Sequence, residues 1–159
     1  MVIPISAHPL VESLAAPRQA QLLALRTWLG QQPAVLVAYS GGVDSTLVAA
    51  LAAEQLVEKA EAVTGVSPAL APNLLEEARW QASWLGLRHR EIESQELQEP
   101  GYSSNPENRC YYCKRELHSL LAQLAGGALV LDGVNQDDQG DYRPGLQAAA
   151  EQGVASPLL

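Results

Sequence analysis

The apolar positions of this 159-residue chain change period along its length, and the changes mark out alternating helices and strands. Residues 1–17, with Pro4, Pro9 and Pro17, hold no sustained period and read as a loosely structured start. Leu22, Leu25 and Leu29 recur at helical spacing from Arg18 to Leu29, and Gly30 is the stop. Ala34-Val35-Leu36-Val37-Ala38 is short, uncharged and rich in valine, the pattern of a strand buried on both faces. Leu47, Val48, Leu51 and Leu56 then share one helical face. A second strand follows at Glu61–Val66 and breaks at Ser67-Pro68. Asn73 to Leu85 predicts a helix with Leu74, Ala78, Ala82 and Leu85 inward, ended by Gly86. Leu87 to Ile92 predicts a short, rather polar strand, and Glu93 to Asn108 a surface loop.

The last third repeats the alternation. Leu117, Leu120, Leu121 and Leu124 predict a helix from Cys113 to Ala125, stopped by Gly126-Gly127. Ala128 to Leu131 is a fourth buried strand, Asp132 to Pro144 a polar loop, and Pro144 suits the first turn of a helix to Ala150. Val154 to Leu159 predicts the beginning of a fifth strand. Strands alternating with helices imply an α/β fold: a parallel sheet with helices on both faces. Ligands of such sheets bind beyond the carboxyl ends of the strands, where strand order reverses. Segments far apart in sequence, each following a strand, are therefore expected to converge on one site.

Composition narrows the function classes. The chain is 47% hydrophobic and 18% charged, a globular balance, and its net charge is −8. An acidic chain with no basic face argues against long nucleic acid as partner. No apolar run reaches the ~20 residues of a membrane span, and no signal peptide is read at the start. A cytoplasmic enzyme is expected. The two cysteines lie three apart, a separation that makes a structural disulfide improbable in that setting.

Three stretches carry candidate chemistry. The first is Ser40-Gly41-Gly42-Val43-Asp44-Ser45, set between the first strand and its helix. Two glycines let the backbone bend and leave no side chain between its amides and a ligand. The first amides of the helix have no partner within it, so the turn is an anion cradle at the positive end of a helix dipole. It is not a Walker loop, because no Gly-Lys-Ser/Thr follows, and it lacks the three-glycine dinucleotide spacing. The plain alternative is an ordinary Gly-Gly turn capped by Asp44 or Ser45.

The second is Asn105-Pro106-Glu107-Asn108-Arg109-Cys110-Tyr111-Tyr112-Cys113-Lys114. On spacing alone, Cys110 and Cys113 read equally as half of a metal or cluster site, as a redox or nucleophilic pair, or as two inert thiols. His118 stands five after Cys113 as a possible third ligand, but a solvated helix residue is the simpler reading. The third is Asp132 to Gly145, an acidic loop after a buried strand. Beside a phosphate cradle, Asp137 or Asp138 becomes a credible Mg²⁺ ligand and Asn135 a nucleotide or loop contact. Without one, it is a solvated loop with Asp141 as a cap.

SGGVDS after a strand resembles the signature of the PP-loop ATP pyrophosphatases, which hold ATP phosphates on this loop and cut between the α- and β-phosphates. VAYSGGVDST, NPENRCYYCKRELH, GVNQDDQGDYRPG and GVASPLL together resemble one subfamily, the LarE-type ATP-dependent sulfur transferases of nickel-pincer cofactor synthesis. The resemblance runs from about Leu22 to Leu159. It implies a Rossmann-like adenine-nucleotide-hydrolase fold over residues 18–159, without the C-terminal portion with which relatives continue past Leu159.

The same resemblance implies a reaction and its residues. A carboxylate of a pyridinium mononucleotide is adenylated by ATP and then converted to a thiocarboxylate. Ser40, Gly41, Gly42, Val43, Asp44, Ser45, Thr64, Val66, Ser67, Gly133 and Asn135 would bind nucleotide. Asp44 and Asp138 would hold Mg²⁺, with Asp44, Ser45, Cys110 and Cys113 carrying the chemistry. Arg109, Lys114 and Arg143 would neutralise substrate phosphate. In the cluster-bearing branch three cysteines hold a 4Fe–4S cluster, and Cys110 and Cys113 match two of them. A homo-oligomer acting on a small molecule, with neither nucleic acid nor membrane as partner, is expected. The alternatives are a tRNA-thiolating or amide-forming enzyme of the same superfamily, and a nucleotide-binding module without turnover.

Overall fold

A computed structural model describes residues 13–94, 109–138, 148, 150–151 and 153–159, with the backbone but not the side chains of 109–113 and 138. Helix α1 (Ala16–Gly30) leads to β1 (Val35–Ala38), and α2 (Val43–Leu56) ends in a single tight turn (Val57–Lys59) before β2 (Ala60–Val66). Then come α3 (Pro72–Leu85), β3 (His89–Glu93), α4 (Arg109–Ala125) and β4 (Leu129–Leu131).

The described strands form one parallel sheet in the order β3-β2-β1-β4. From β1 the chain moves outward to β2 and β3, then returns to the other side of β1 for β4. The reversal beside β1 is the switch point at which such sheets open a crevice. Alternation along each strand feeds two cores. Val35, Val37, Tyr39, Ala60, Ala62 and Leu131 pack under Leu29 of α1, Val48 and Leu51 of α2, and Ala78 and Ala82 of α3. Leu36, Ala38, Val63 and Val130 pack on the opposite face against Leu117 and Leu121 of α4. Helices thus cover both faces, as the alternation predicts.

Several local expectations change. Helix α1 begins at Ala16 with Pro17 in its first turn, so the loose start ends earlier than residue 17. Helix α3 stops where Gly86 adopts a left-handed conformation, φ 66°, which the missing Cβ permits. Leu74, expected inward, is half exposed, because it faces the hollows beside the PP-loop rather than the sheet core that Ala78 and Ala82 enter. Strand β3 begins at His89, and its outer position leaves it partly exposed, tied by Arg90–Glu61 at 2.9 Å and by Arg79–Glu91. Helix α4 starts at Arg109 rather than Cys113, which puts both cysteines in helical backbone. The fifth strand reduces to two parallel bridges, Leu131 with Ala155 and Asn135 with Leu158. Ala148, Ala150 and Glu151 are helical, and the rest of the helix expected from Pro144 lies outside the described residues.

Candidate functional site

Tyr39 leaves the end of β1 and is buried, its hydroxyl donating to the Ala78 carbonyl of α3 at 3.1 Å. Burial holds that phenol above its usual pKa. The loop that follows is tied to itself. Ser40 Oγ and Ser45 Oγ lie 3.1 Å apart, the Gly42 amide donates to Ser40 Oγ at 3.2 Å, and Ser45 Oγ donates to the Gly42 carbonyl at 3.3 Å. Gly41 has φ +83°, and a Cβ there would stand 3.0 Å from Cα and Cβ of Ala78. The loop needs glycine twice over at this point: for the left-handed backbone and for the approach of α3. Helix α2 opens at Gly42 without a side-chain cap, so its first amides face the loop's hollow as anion donors.

The segment after β4 closes on this loop from the far side of the sheet. Asn135 Nδ2 donates to Asp44 Oδ2 at 2.8 Å, a contact across 91 positions of sequence. Its own carbonyl oxygen accepts from the Asp137 amide at 2.8 Å, which fixes the amide's orientation. Asp132 is buried, with Oδ1 accepting from the Val134 amide at 3.1 Å. Gly133 is pressed so close that a Cβ would lie 2.5 Å from the Ser45 nitrogen. Between these segments is a cavity of about 400 Å³ at the carboxyl ends of β1, β2 and β4. Ser40, Asp44 and Ser45 line it from the loop, and Lys114, Leu117 and His118 from α4.

A larger hollow of about 700 Å³ lies on the outer side of the loop, between α2 and α3. It is walled by Leu47, Leu74 and a stacked Trp80–Trp84 pair with ring centroids 6.2 Å apart. Size does not make it the reaction site. It shares Ser40, Gly42 and Val43 of the loop with the smaller cavity, but among the described residues its titratable side chain is Glu77 alone. The smaller cavity gathers the loop hydroxyls, the carboxylates of Asp44 and Asp132, an ammonium and an imidazole.

Residues 21–99 match the asparagine synthase family. Over 128 residues the chain is 36% identical to the pyridinium-3,5-bisthiocarboxylic acid mononucleotide synthase of Lactiplantibacillus plantarum, covering 78% of this chain and 46% of that protein. It is 52% identical over 143 residues to an uncharacterised Synechocystis protein, covering 88% of this chain and 53% of that one. The chain therefore spans about half the length of these relatives. Among solved structures, the NH3-dependent NAD synthetase of Campylobacter jejuni superposes with TM-score 0.64 at 23% identity, over 76% of this chain and 58% of that one. The NMN synthetase of Francisella tularensis gives TM-score 0.62 at 19% identity, over 77% and 56%. The chain belongs to the PP-loop ATP pyrophosphatases.

Of the PP-loop residues expected to bind nucleotide, Ser40, Gly42, Val43, Asp44 and Ser45 line the cleft, whereas Gly41 lines the larger hollow. Thr64 lines it as well, but its hydroxyl is used within the fold. Thr64 Oγ1 donates to the Tyr39 carbonyl at 2.7 Å, so His89 Nε2, 2.8 Å away, is the donor in their bond. Burial lowers the His89 pKa and keeps that ring neutral, edge-on to Tyr39 at 5.4 Å. Val66 and Ser67 stand outside the cavity lining, and the Ser67 hydroxyl accepts from the Ala69 amide at 3.2 Å. Gly133 meets the PP-loop as backbone, and Asn135 reaches Asp44.

Lys114, expected at substrate, lines the cleft from α4. Arg109, Cys110 and Cys113 occupy the first turns of that helix, and their side chains lie outside the described residues. So does that of Asp138, within the turn Gln136–Asp138, and all of Arg143.

His118 is not a solvated helix residue. It is 1% exposed, and neither ring nitrogen has a hydrogen-bond partner among the described residues. Nor can it join both cysteines around one ion. In a continuous helix it stands about 12 Å along the axis from Cys110, beyond the combined reach of the two side chains. Among the residues whose side chains are described, no three metal-ligating groups cluster. The side chains of Cys110 and Cys113, the two thiols matched to a cluster site, lie outside the described residues. Mg²⁺ fits the donor set at the loop: one Asp44 oxygen is held by Asn135, the other is uncommitted in that bond, and Mg²⁺ typically takes one or two carboxylates with substrate phosphates.

Sequence reasoning missed His118 and Asp132. Asp132 had a signal, as the first polar residue after a buried strand. His118 had a weaker one, standing four after Lys114 and on the same helical stripe as Leu121.

Proposed function

We propose that this cleft adenylates a carboxylate of a pyridinium mononucleotide at the expense of ATP, as the activating half of sulfur transfer in nickel-pincer cofactor synthesis. The observation that carries the reading is the clamp of Asn135 on Asp44 beside a pre-formed PP-loop at the strand ends. The 36% identity to a synthase named for a pyridinium bisthiocarboxylate supports the choice of acceptor.

The β- and γ-phosphates rest on the amides from Gly41 to Ser45, with the Ser40 and Ser45 hydroxyls beside them. Mg²⁺ held by Asp44 would neutralise phosphate charge. A carboxylate oxygen of the acceptor attacks the α-phosphorus, forming a phosphorus–oxygen bond. The bond between the α-phosphorus and the bridging oxygen breaks, and its electron pair leaves with pyrophosphate. The products are an acyl adenylate and pyrophosphate. The loop's dipoles are oriented before reaction, so developing charge on the leaving group is met without reorganisation. Lys114 attracts the anionic acceptor. Conversion to thiocarboxylate then requires a sulfide-level donor whose sulfur attacks the acyl carbon as AMP leaves, and we assign Cys110 and Cys113, four and one residues before Lys114, to the segment that receives that donor.

The test is pyrophosphate release from Mg·ATP with and without pyridinium-3-carboxylate mononucleotide. Acceptor-dependent release that Asp44→Ala reduces at least a hundredfold is expected. Release that ignores the acceptor, or survives Asp44→Ala, refutes the reading.

A further inference from the structure

Helix α4 faces the cleft with Lys114, Leu117 and His118, and one turn deeper Leu121 is in the core. Leu117 seats the helix: its Cδ1 would be 2.9 Å from a Cβ at Gly65, so the glycine admits it against the end of β2. His118 is held behind it, 1% exposed, yet it lines the cavity. A buried imidazole whose two nitrogens meet no partner among the described residues is costly, because each has lost water without a hydrogen bond from them in return. Its neighbours argue against a hidden ionic role. Burial pushes its pKa down to about 4, with the Lys114 ammonium a smaller cause. The ring is therefore neutral at physiological pH, with one N–H to give and one lone pair to receive.

We propose that His118 is an acceptor-binding residue: with Lys114 it forms a subsite on α4 for an anionic, carboxylate-bearing acceptor, across the cleft from the PP-loop. This rests on the reaction proposed above and adds a specificity device to it. Lys114 supplies charge without direction, whereas the imidazole supplies a fixed donor. A buried donor with no partner among the described residues favours ligands able to accept its hydrogen bond and penalises those that leave it unmet. The site accordingly favours an acceptor that places an oxygen lone pair at the imidazole N–H, and the Lys114 ammonium adds the preference for an anionic carboxylate over a neutral group.

The experiment uses the whole chain with three variants of the site. Calorimetry measures binding of α,β-methylene-ATP with Mg²⁺ and of pyridinium-3-carboxylate mononucleotide, and thermal denaturation measures the free protein. For His118→Leu the mononucleotide should bind at least tenfold more weakly, the nucleotide analogue should be unchanged, and the free protein should melt at the same temperature or higher. His118→Gln, which keeps a donor and an acceptor, should recover most of the affinity. Lys114→Met should weaken the mononucleotide and leave a residual preference over the pyridinium mononucleotide that has no oxygen at the 3-position, a preference that His118→Leu removes. A His118→Leu protein that melts several degrees lower shows an imidazole used structurally and overturns the proposal. So does weakened ATP-analogue binding with the mononucleotide unaffected. If the wild-type chain binds the analogue but never the mononucleotide, the functional reading falls and this inference with it. If the wild type binds both and the variants match it, this inference alone falls.

Discussion

Gly133→Ala tests whether the segment after β4 sets the PP-loop. A Cβ built at Gly133 lies 2.5 Å from the Ser45 nitrogen, 2.8 Å from Ser45 Cα and 2.9 Å from the Asp44 carbonyl carbon. All three are backbone atoms of the first turn of α2, so no side chain can swing aside. Reaching ordinary contact near 3.5 Å needs a displacement of about 1 Å. Overpacking of this kind costs about 2 kcal/mol, which for a chain of this size lowers the melting temperature by about 6 °C. The larger effect is expected on activity. The same turn carries the amides that meet the phosphates, and a displacement of about 1 Å at a reacting centre costs about a hundredfold in rate. The assay is acceptor-dependent pyrophosphate release beside thermal denaturation. Gly30→Ala is the control: its Cβ would meet Gln55 Oε1 at 3.4 Å, the end of a flexible side chain. Gly133→Ala with wild-type melting and release would show that the PP-loop is positioned without this contact.

Thr64→Val keeps shape but strips the hydroxyl from both Tyr39 and His89, so a loss of about 2 kcal/mol is expected in urea denaturation. Stability should also depend on pH through His118. Its folded pKa, about 4, is below the ordinary imidazole value of 6.5, so between those values the unfolded chain takes up the proton and the folded chain does not. The stabilising effect is complete above pH 6.5 and is lost as pH falls toward 4, a difference of about 3 kcal/mol. Urea denaturation at pH 7 and pH 4.5 should show a smaller drop for His118→Leu than for the wild type, and equal drops would contradict the burial argument. Cys110 and Cys113 should react with a thiol reagent more slowly when Mg·ATP is bound, and nucleotide-independent labelling would detach them from the cleft.

The sequence by itself determined the local pieces. SGGVDS between a valine-rich run and an amphipathic helix specified the turn, because φ +83° at Gly41 and free first-turn amides are consequences of nearest neighbours. The α3 stop at Gly86 and the two-sided burial of β1 were legible for the same reason. What only the tertiary structure decided is which distant segments meet. The order β3-β2-β1-β4 puts β4 beside β1, and that placement alone brings Asn135 to Asp44 and Gly133 to Ser45. Nothing in the spacing of those residues encodes the contact, since strand order is set by how the helices share the two faces. His118 is the sharpest case. Polar on a helix and next to charges, it reads as solvated, and its burial follows from Gly65 letting Leu117, and with it the whole stripe of α4, sink against the sheet.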